Sequence, residues 1–408
     1  MRNVPELRFD GFDGEWEEHN LSEFISVYRG LTYSPKDITN NISDTFVIRS
    51  SNVKNNSIID ADNVYVNPSI VNTENVKNGD IILVVRNGSR SLIGKHAAIT
   101  KDMPNTVIGA FMSGVRARTP DFINALFDTT KFDKNIRKNL GATINQITNK
   151  NISEMKFFFT DIEEQEKIGV LFKKLDALIE VQEGKVSKLE DFKKSMLQKM
   201  FPKKDELVPE FRFDGFDGDW EKVKIKEIYR KAGSGGTPKS SISDFYNGDI
   251  PFLSISDITN SNGKIRNTEK NITKLGLDNS SARLVPAGSI SLAMYASVGK
   301  VAKIEIELAT SQAFFNMIPS EYYDTEFLYQ TFKKMELFNQ WRSEITTGTQ
   351  PNLNANIINN FKLEIPSLEE QVKIGRFFKI LDTQIENEEK LLESYKMMKK
   401  SLLQKMFV

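Results

Sequence analysis

VPELRFDGFDGEWE (Val4–Glu17) returns as VPEFRFDGFDGDWE (Val208–Glu221), differing only at Leu7/Phe211 and Glu15/Asp219. A second pair lies 206 residues apart: EEQEKIGVLFKKLDALIE (Glu163–Glu180) against EEQVKIGRFFKILDTQIE (Glu369–Glu386), closing with SMLQKMF (Ser195–Phe201) against SLLQKMF (Ser401–Phe407). The chain is therefore an internal duplication, ordered variable region, helix, variable region, helix. Two copies predict pseudo-twofold symmetry and not a solenoid. Between these anchors the copies have diverged but still align. Val76–Ile99 matches Val285–Ile304, with four extra residues before Gly94-Lys95, and Thr45–Val53 matches Ile250–Ile258. A shared frame with divergent inserts suggests two different readers on one scaffold.

The repeated helices have a helical apolar period. Ile168, Leu171, Phe172, Leu175, Leu178 and Ile179 precede a polar break at Gln182-Glu183-Gly184; Val186, Leu189, Phe192, Met196, Leu197 and Met200 follow it. Pro202 stops the first helix, and Asp161 and Ser367 stand where N-caps belong. The second helix uses Ile374, Phe377, Phe378, Leu381, Ile385, Leu391, Leu392, Tyr395, Met398, Leu402 and Met406. These stripes lie on surfaces dense in Lys and Glu, so each needs a partner. The economical solution pairs the helices with each other as an antiparallel coiled coil, with Ile168, Leu175, Leu178, Leu189 and Met196 facing Ile374, Leu381, Ile385, Leu392 and Leu402. A helix of ~38 residues at ~1.5 Å each makes a rod of ~57 Å, or ~17 base pairs of duplex at ~3.4 Å each. The alternative packs each helix on its own domain.

The variable regions read as mixed α/β. Strand-like runs cover Asp80–Arg86, Lys156–Thr160, Ser289–Tyr295 and Lys300–Ile306, and helical runs cover Asp121–Asn139 and Asp324–Ile345. The expected domains are 1–160, a first spacer helix 161–206, 207–366, and a second spacer helix 367–408.

Composition narrows the function. The 408 residues carry 55 Lys+Arg against 55 Asp+Glu, no Cys and two His. Absence of Cys removes disulfides, thiolate zinc sites and thiol nucleophiles together. His19 and His96 leave little for metal or His-based chemistry. No apolar run approaches a membrane span, and the opening residues hold no secretory signal, so a cytoplasmic location is expected. Charge neutrality argues against a nonspecific polyanion binder acting alone. It leaves room for one that borrows charge from a partner.

Tests for catalysis fail one by one. No G-x-x-x-x-G-K-[ST] loop, G-x-S-x-G elbow or D/N-P-P-Y/F signature is present. Lys231–Ser240 is Gly-rich but lacks P-loop spacing. Gly11–Gly14 has the spacing of a KH-type loop, but its Asp would repel the phosphates such a loop clamps, so a turn seating Trp16 and Trp220 is the better reading. His96 aligns with Val301, which points to a structural role.

Polar, basic and aromatic side chains gather instead at matched strand ends and loops. The first copy offers Arg29, Tyr33, Lys36, Arg49, Ser51, Asn52, Arg86, Asn87, Ser89, Arg90 and Lys95. The second offers Arg230, Lys231, Ser234, Thr237, Lys239, Ser254, Ser256, Asp257, Tyr295, Ser297 and Lys300, with Thr349 and Gln350 beyond them. Arg and Lys suit guanine edges, Asn and Gln suit adenine, and Asp accepts from cytosine. Ser, Thr and backbone groups hold phosphates.

In this order and in duplicate, the motifs resemble those of the specificity subunit of Type I restriction-modification systems. The residues that carry the likeness are the two FDGFDG-x-W openings, Gly235-Gly236-Thr237-Pro238-Lys239, Ile250-Pro251-Phe252-Leu253 with Asp257, Ser297-x-Gly299-Lys300-Val301, Thr347–Asn352 and the two Glu-Glu-Gln helices. The first copy departs by carrying Arg29–Lys36 in place of Gly-Gly-Thr-Pro and Thr143-Ile144-Asn145 in place of Gln-Pro-Asn. The resemblance implies a non-catalytic subunit with two target recognition domains alternating with two long helices. Each domain would read half of a bipartite site in double-stranded DNA. The helices would set the spacing and dock two methyltransferase subunits, which methylate adenine, beside restriction/translocase subunits. S-adenosylmethionine, ATP and Mg would reside in those partners, with no cofactor and no metal in this chain. The rival reading is a coiled-coil assembly scaffold with two protein-binding domains and no DNA.

Overall fold

The computed structural model describes residues 3–141, 145–343 and 352–408. The fold is mixed α/β, with two lobes and two long helices, Ile162–Lys199 and Leu368–Met406, in contact with one another. The chain falls into two compact units: Met1–Gly184 with Lys390–Val408, and Lys185–Glu389. Each long helix is therefore divided between the units near its middle.

The same frame recurs in both. In the first unit an antiparallel sheet runs in the spatial order Ile25–Arg29, Met112–Ala117, Ile81–Val84, His96–Ala98. In the second the order is Tyr229–Gly233, Phe314–Pro319, Ile290–Ala293, Val301–Ile304, with Lys264–Ile265 added in parallel at the edge. The unbroken apolar run Ile81–Val84 follows from burial on both faces. Ile81 and Leu83 enter one core, with the helices; Ile82 and Val84 enter another, shared with Ile48, Val53 and Ile108. Its counterpart alternates likewise, Ile290 and Leu292 on the helical side and Ala293 on the other. Ser291 is fully buried there, and its hydroxyl donates to Asn316 Oδ1 at 2.6 Å.

A second sheet in each unit contains one parallel pair, Thr45–Ile48 with Thr106–Ile108 and Tyr246–Leu253 with Leu308–Thr310. A short ladder closes each domain where it meets its helix, Glu17–Asn20 on Lys156–Phe159 and Glu221–Lys224 on Lys362–Ile365.

The single helix expected over Asp121–Asn139 is two, Pro120–Phe127 and Thr130–Asn139. Thr129 splits it: its backbone is extended, and its hydroxyl accepts from Phe132 N while donating to Leu126 O. The helix expected to reach Ile345 ends at Leu337, and Asn339 beyond it takes φ +52°. Asp161 and Ser367 accept from the backbone N–H of Glu164 and Glu370, as their N-cap positions suggested.

The duplicated motifs have a shared physical job. Arg8 donates Nε and Nη2 to Glu164 at 2.7 and 2.8 Å and Nη1 to the carbonyl of Gly14. Arg212 does the same to Glu370 and Gly218. Gly11, Gly14, Gly215 and Gly218 all have φ between +75° and +90°, which explains the repeated glycines. The following Trp16 and Trp220 are each 2% exposed. Gln165 then donates to Thr160 O and accepts from Thr119, while Gln371 donates to Pro366 O and accepts from Asp324 N. Glu-Glu-Gln thus ties the helix start to both the opening strip and the domain.

Within each unit the long helices run antiparallel. In the first, Phe172 and Phe407 meet at 5.9 Å between ring centroids, Lys396 pairs with Glu183 at 2.6 Å, and Lys399 bridges Asp176 and Asp128. Burial opposes the charge on Lys399, but the two carboxylates outweigh it and raise its pKa. In the second, Lys185 pairs with Glu388 at 2.6 Å, Lys193 with Asp382 at 2.5 Å, and Phe201 packs on Phe378. Of the positions assigned to pairing, Ile168, Leu175, Ile374, Leu381 and Ile385 are buried. Leu189, Met196, Leu392 and Leu402 are half-buried, and Leu178 is 48% exposed.

Candidate nucleic-acid interface

The loops carrying the candidate residues grow from corresponding places on the two frames. In the first unit Val85 N donates to Phe111 O and Ile147 N to Val85 O; in the second Met294 N donates to Ala313 O and Leu353 N to Met294 O. Arg86 and Tyr295 are the next residues and occupy the same node. The Gly-Gly-Thr-Pro departure leaves the frame intact as well. A Cβ on Gly30 would lie 2.0 Å from Gly109 O, and one on Gly235 would lie 1.9 Å from Thr310 O, so both loops cross the neighbouring strand with no room for a side chain.

Tyr33, Arg49 and Ser51 share a cavity of about 590 Å³ with Leu31 and Phe111. Arg49 gives its guanidinium to Asp62, leaving its buried Nε without an acceptor among the described residues. Beside this cavity Asn87 Nδ2 donates to Ser50 Oγ at 3.1 Å, and Asn145 Nδ2 donates to Gly88 O at 3.0 Å. Ser89 bonds Ser91 through their hydroxyls. Arg29, Lys36, Arg86, Arg90 and Lys95 are exposed and make no ion pair among the described residues.

In the second unit Thr237 Oγ1 donates to Gln312 Oε1 at 3.0 Å, and Lys231 and Lys239 are exposed. Tyr295 is 45% exposed, and Ala296 and Ser297 beyond it hold positive φ. Ser234 is half-buried. Lys300 stands apart, lining a charged cleft with Lys193, Lys264, Lys333 and Glu386. Within that cleft burial would raise the Glu386 carboxyl, but Lys264 and Arg266 prevail and hold it below the usual range.

Four candidates are engaged inside the fold. Asn52 is fully buried, accepts from Arg49 N and donates to Ala61 O and Asn63 Oδ1. Asp257 caps its helix through Ser254 and accepts from Glu269 N, while Ser256 donates to Glu269. In this conformation these side chains organise the loops. Thr349 and Gln350 lie outside the described residues. Phe111, 53% exposed, and Gln312 belong to the same surfaces but escaped the sequence reading; an apolar ring at the junction of two strands was the available signal for the first.

His96 is buried edge-on against Phe127, 5.6 Å away, with Nε2 3.5 Å from Asp128. Among the described residues no group of three or more His, Asp or Glu side chains is placed to hold a metal, and no helix is long and apolar enough to cross a membrane.

A family model for the Type I restriction modification DNA specificity domain matches residues 13–191 and again 217–396. The MjaIX specificity subunit of Methanocaldococcus jannaschii is 36% identical over 174 residues, which is 42% of this chain but only 40% of that protein's length. The HindI specificity subunit of Haemophilus influenzae is 24% identical across 87% of this chain and 95% of its own. The crystal structure of a Type I system S subunit from M. genitalium superposes with a TM-score of 0.66 at 17% identity, covering 99% of both chains, a likeness of fold. With the duplicated family match spanning most of its length, the chain belongs to the Type I restriction modification DNA specificity family and is a non-catalytic specificity subunit.

Proposed function

We propose that residues 1–160 and 207–366 are two target recognition domains, each reading one half of a bipartite DNA site, and that 161–206 and 367–408 set the spacing and dock two methyltransferase subunits. The observation that carries this reading is the pairing of an equal frame with unequal loops. The backbone node at Val85 and Met294 is the same, yet the side chain that follows is Arg86 in one reader and Tyr295 in the other. Apolar side chains left uncovered along the long helices, such as Val181 at 71% and Ile380 at 58% exposure, support a docking role for them. Charge balance in the chain supports a division of labour in which the methyltransferases supply much of the phosphate neutralisation.

Inserting one helical turn of about four residues at Gly184 tests the spacer role. Sequencing of methylated adenines in a host carrying the insertion is expected to show both half-sites unchanged and the gap between them lengthened. An unchanged gap refutes the spacing role. Absence of any sequence-selective DNA retention by the chain with its methyltransferase refutes DNA reading and favours a DNA-free scaffold.

A further inference from the structure

Phe111 leaves more than half of its surface in water on the strand junction 109–111. The guanidinium of Arg86 lies over its ring, 4.9 Å from the centroid. Both backbones are tied together, since the N–H groups of Val85 and Arg86 donate to Phe111 O at 3.0 and 3.1 Å. The next residue is held too, Asn87 N on Asn145 O and Asn87 Nδ2 on Ser50 Oγ. The Arg86 side chain is thus placed by a fixed backbone below it and a ring beside it.

What distinguishes Arg86 is the combination of unused donors with a ring beside it: Arg29 and Arg90 are also exposed without an ion pair among the described residues, but neither lies over an aromatic ring there. Arg49 is committed to Asp62, and Arg116 to Asp80 and Glu74. Arg86 is exposed, makes no ion pair among the described residues, and a contact with a ring face consumes no N–H. A planar fork with its donors available, held against an aromatic surface, loses less rotamer freedom when it binds. The fork matches the O6 and N7 acceptors that guanine presents in the major groove.

We infer that Arg86 is a specificity-determining residue of the first reader, taking a guanine of the first half-site through O6 and N7, with Phe111 as its positioning residue. This inference rests on the proposed half-site reading. The second reader lacks both parts, because Tyr295 has no fork and Ala313, at the place of Phe111, has no ring. The guanine requirement at this node therefore belongs to one half-site only.

The test uses the full chain assembled with its methyltransferase, a panel of duplexes varied one base pair at a time, and sequencing of methylated motifs. Arg86→Ala is expected to lower discrimination for guanine at one position of the first half-site by about 5- to 150-fold, with the second half-site untouched. Phe111→Ala lowers the same preference, and Phe111→Tyr restores it by returning the ring. If Arg86→Ala weakens binding to every sequence equally, Arg86 is a phosphate contact and the inference fails. It fails equally if discrimination does not change. A wild-type complex that shows no sequence selectivity instead sinks the half-site reading itself.

Discussion

Replacing Arg8 by Ala removes the clamp between the opening strip and the first long helix, and the cost follows from burial. Glu164 has no exposed side-chain surface, and Arg8 only 11%. Among the described residues Arg8 supplies two of the three side-chain hydrogen bonds that the carboxylate receives; Thr160 supplies the third. Stripping one partner from a buried pair leaves an uncompensated charge and costs about 3–5 kcal/mol, far above the ~0–1 kcal/mol of a surface pair. Leu7 N also donates to Lys405 O, so releasing the strip frees the last turn of the second long helix. The second unit keeps Arg212–Glu370 and serves as an internal control. Hydrogen exchange by mass spectrometry on Arg8→Ala is expected to show loss of protection in 4–17 and 400–408 and none in 208–221, with the first unit melting at lower denaturant. The double variant Arg8→Met/Glu164→Leu is expected to recover most of the loss, because an apolar pair of similar volume needs no desolvation of charge. A single-variant cost below about 1 kcal/mol, or a double variant no better than the single, refutes this account.

Other outcomes follow from the same contacts. Gly169→Ala is expected to destabilise by about 1–3 kcal/mol, since its Cβ would sit 2.7 Å from Phe122 N. Gly184→Ala, with nothing within 4 Å of the added Cβ, is expected to stabilise by about 0.5–1 kcal/mol; thermal melts of the pair should move in opposite directions. Burial lowers the pKa of Lys334 from 10.5 to about 8, outweighing the opposing charge of Glu364; its ammonium meets the Pro202 carbonyl and the Phe201 ring. Because the folded pKa is below the unfolded one, the unfolded chain binds more protons between pH 8 and 10.5, and stability rises across that window. Lys334→Met is expected to abolish this rise and to gain about 2–3 kcal/mol at pH 7, at ~1.4 kcal/mol per pKa unit less the lost hydrogen bond; a slope unchanged in denaturant titrations from pH 7 to 10 refutes it.

The duplication, the long helices and their N-caps, the apolar strands and the lack of a catalytic set were all legible in the residue order. Each depends on local pattern or on identity between two copies, which a one-dimensional string carries in full. The second Glu of Glu-Glu-Gln and the Gly of Ile-Gly were visible as repeats without their reasons. Glu164 matters because Arg8, 156 positions away, reaches it, and Gly169 because another helix start crosses it. Likewise, periodicity marked Leu178 and Ile168 as equals, but one is exposed and the other buried, a difference set by what lies opposite. Asn52, Asp257 and Phe111 show the same limit in the loops. Composition proposes which side chains can bind a base, whereas their availability is decided by the folded loop, whose hydrogen bonds engage the first two and whose strand junction leaves the ring of the third, beside Arg86, in solvent.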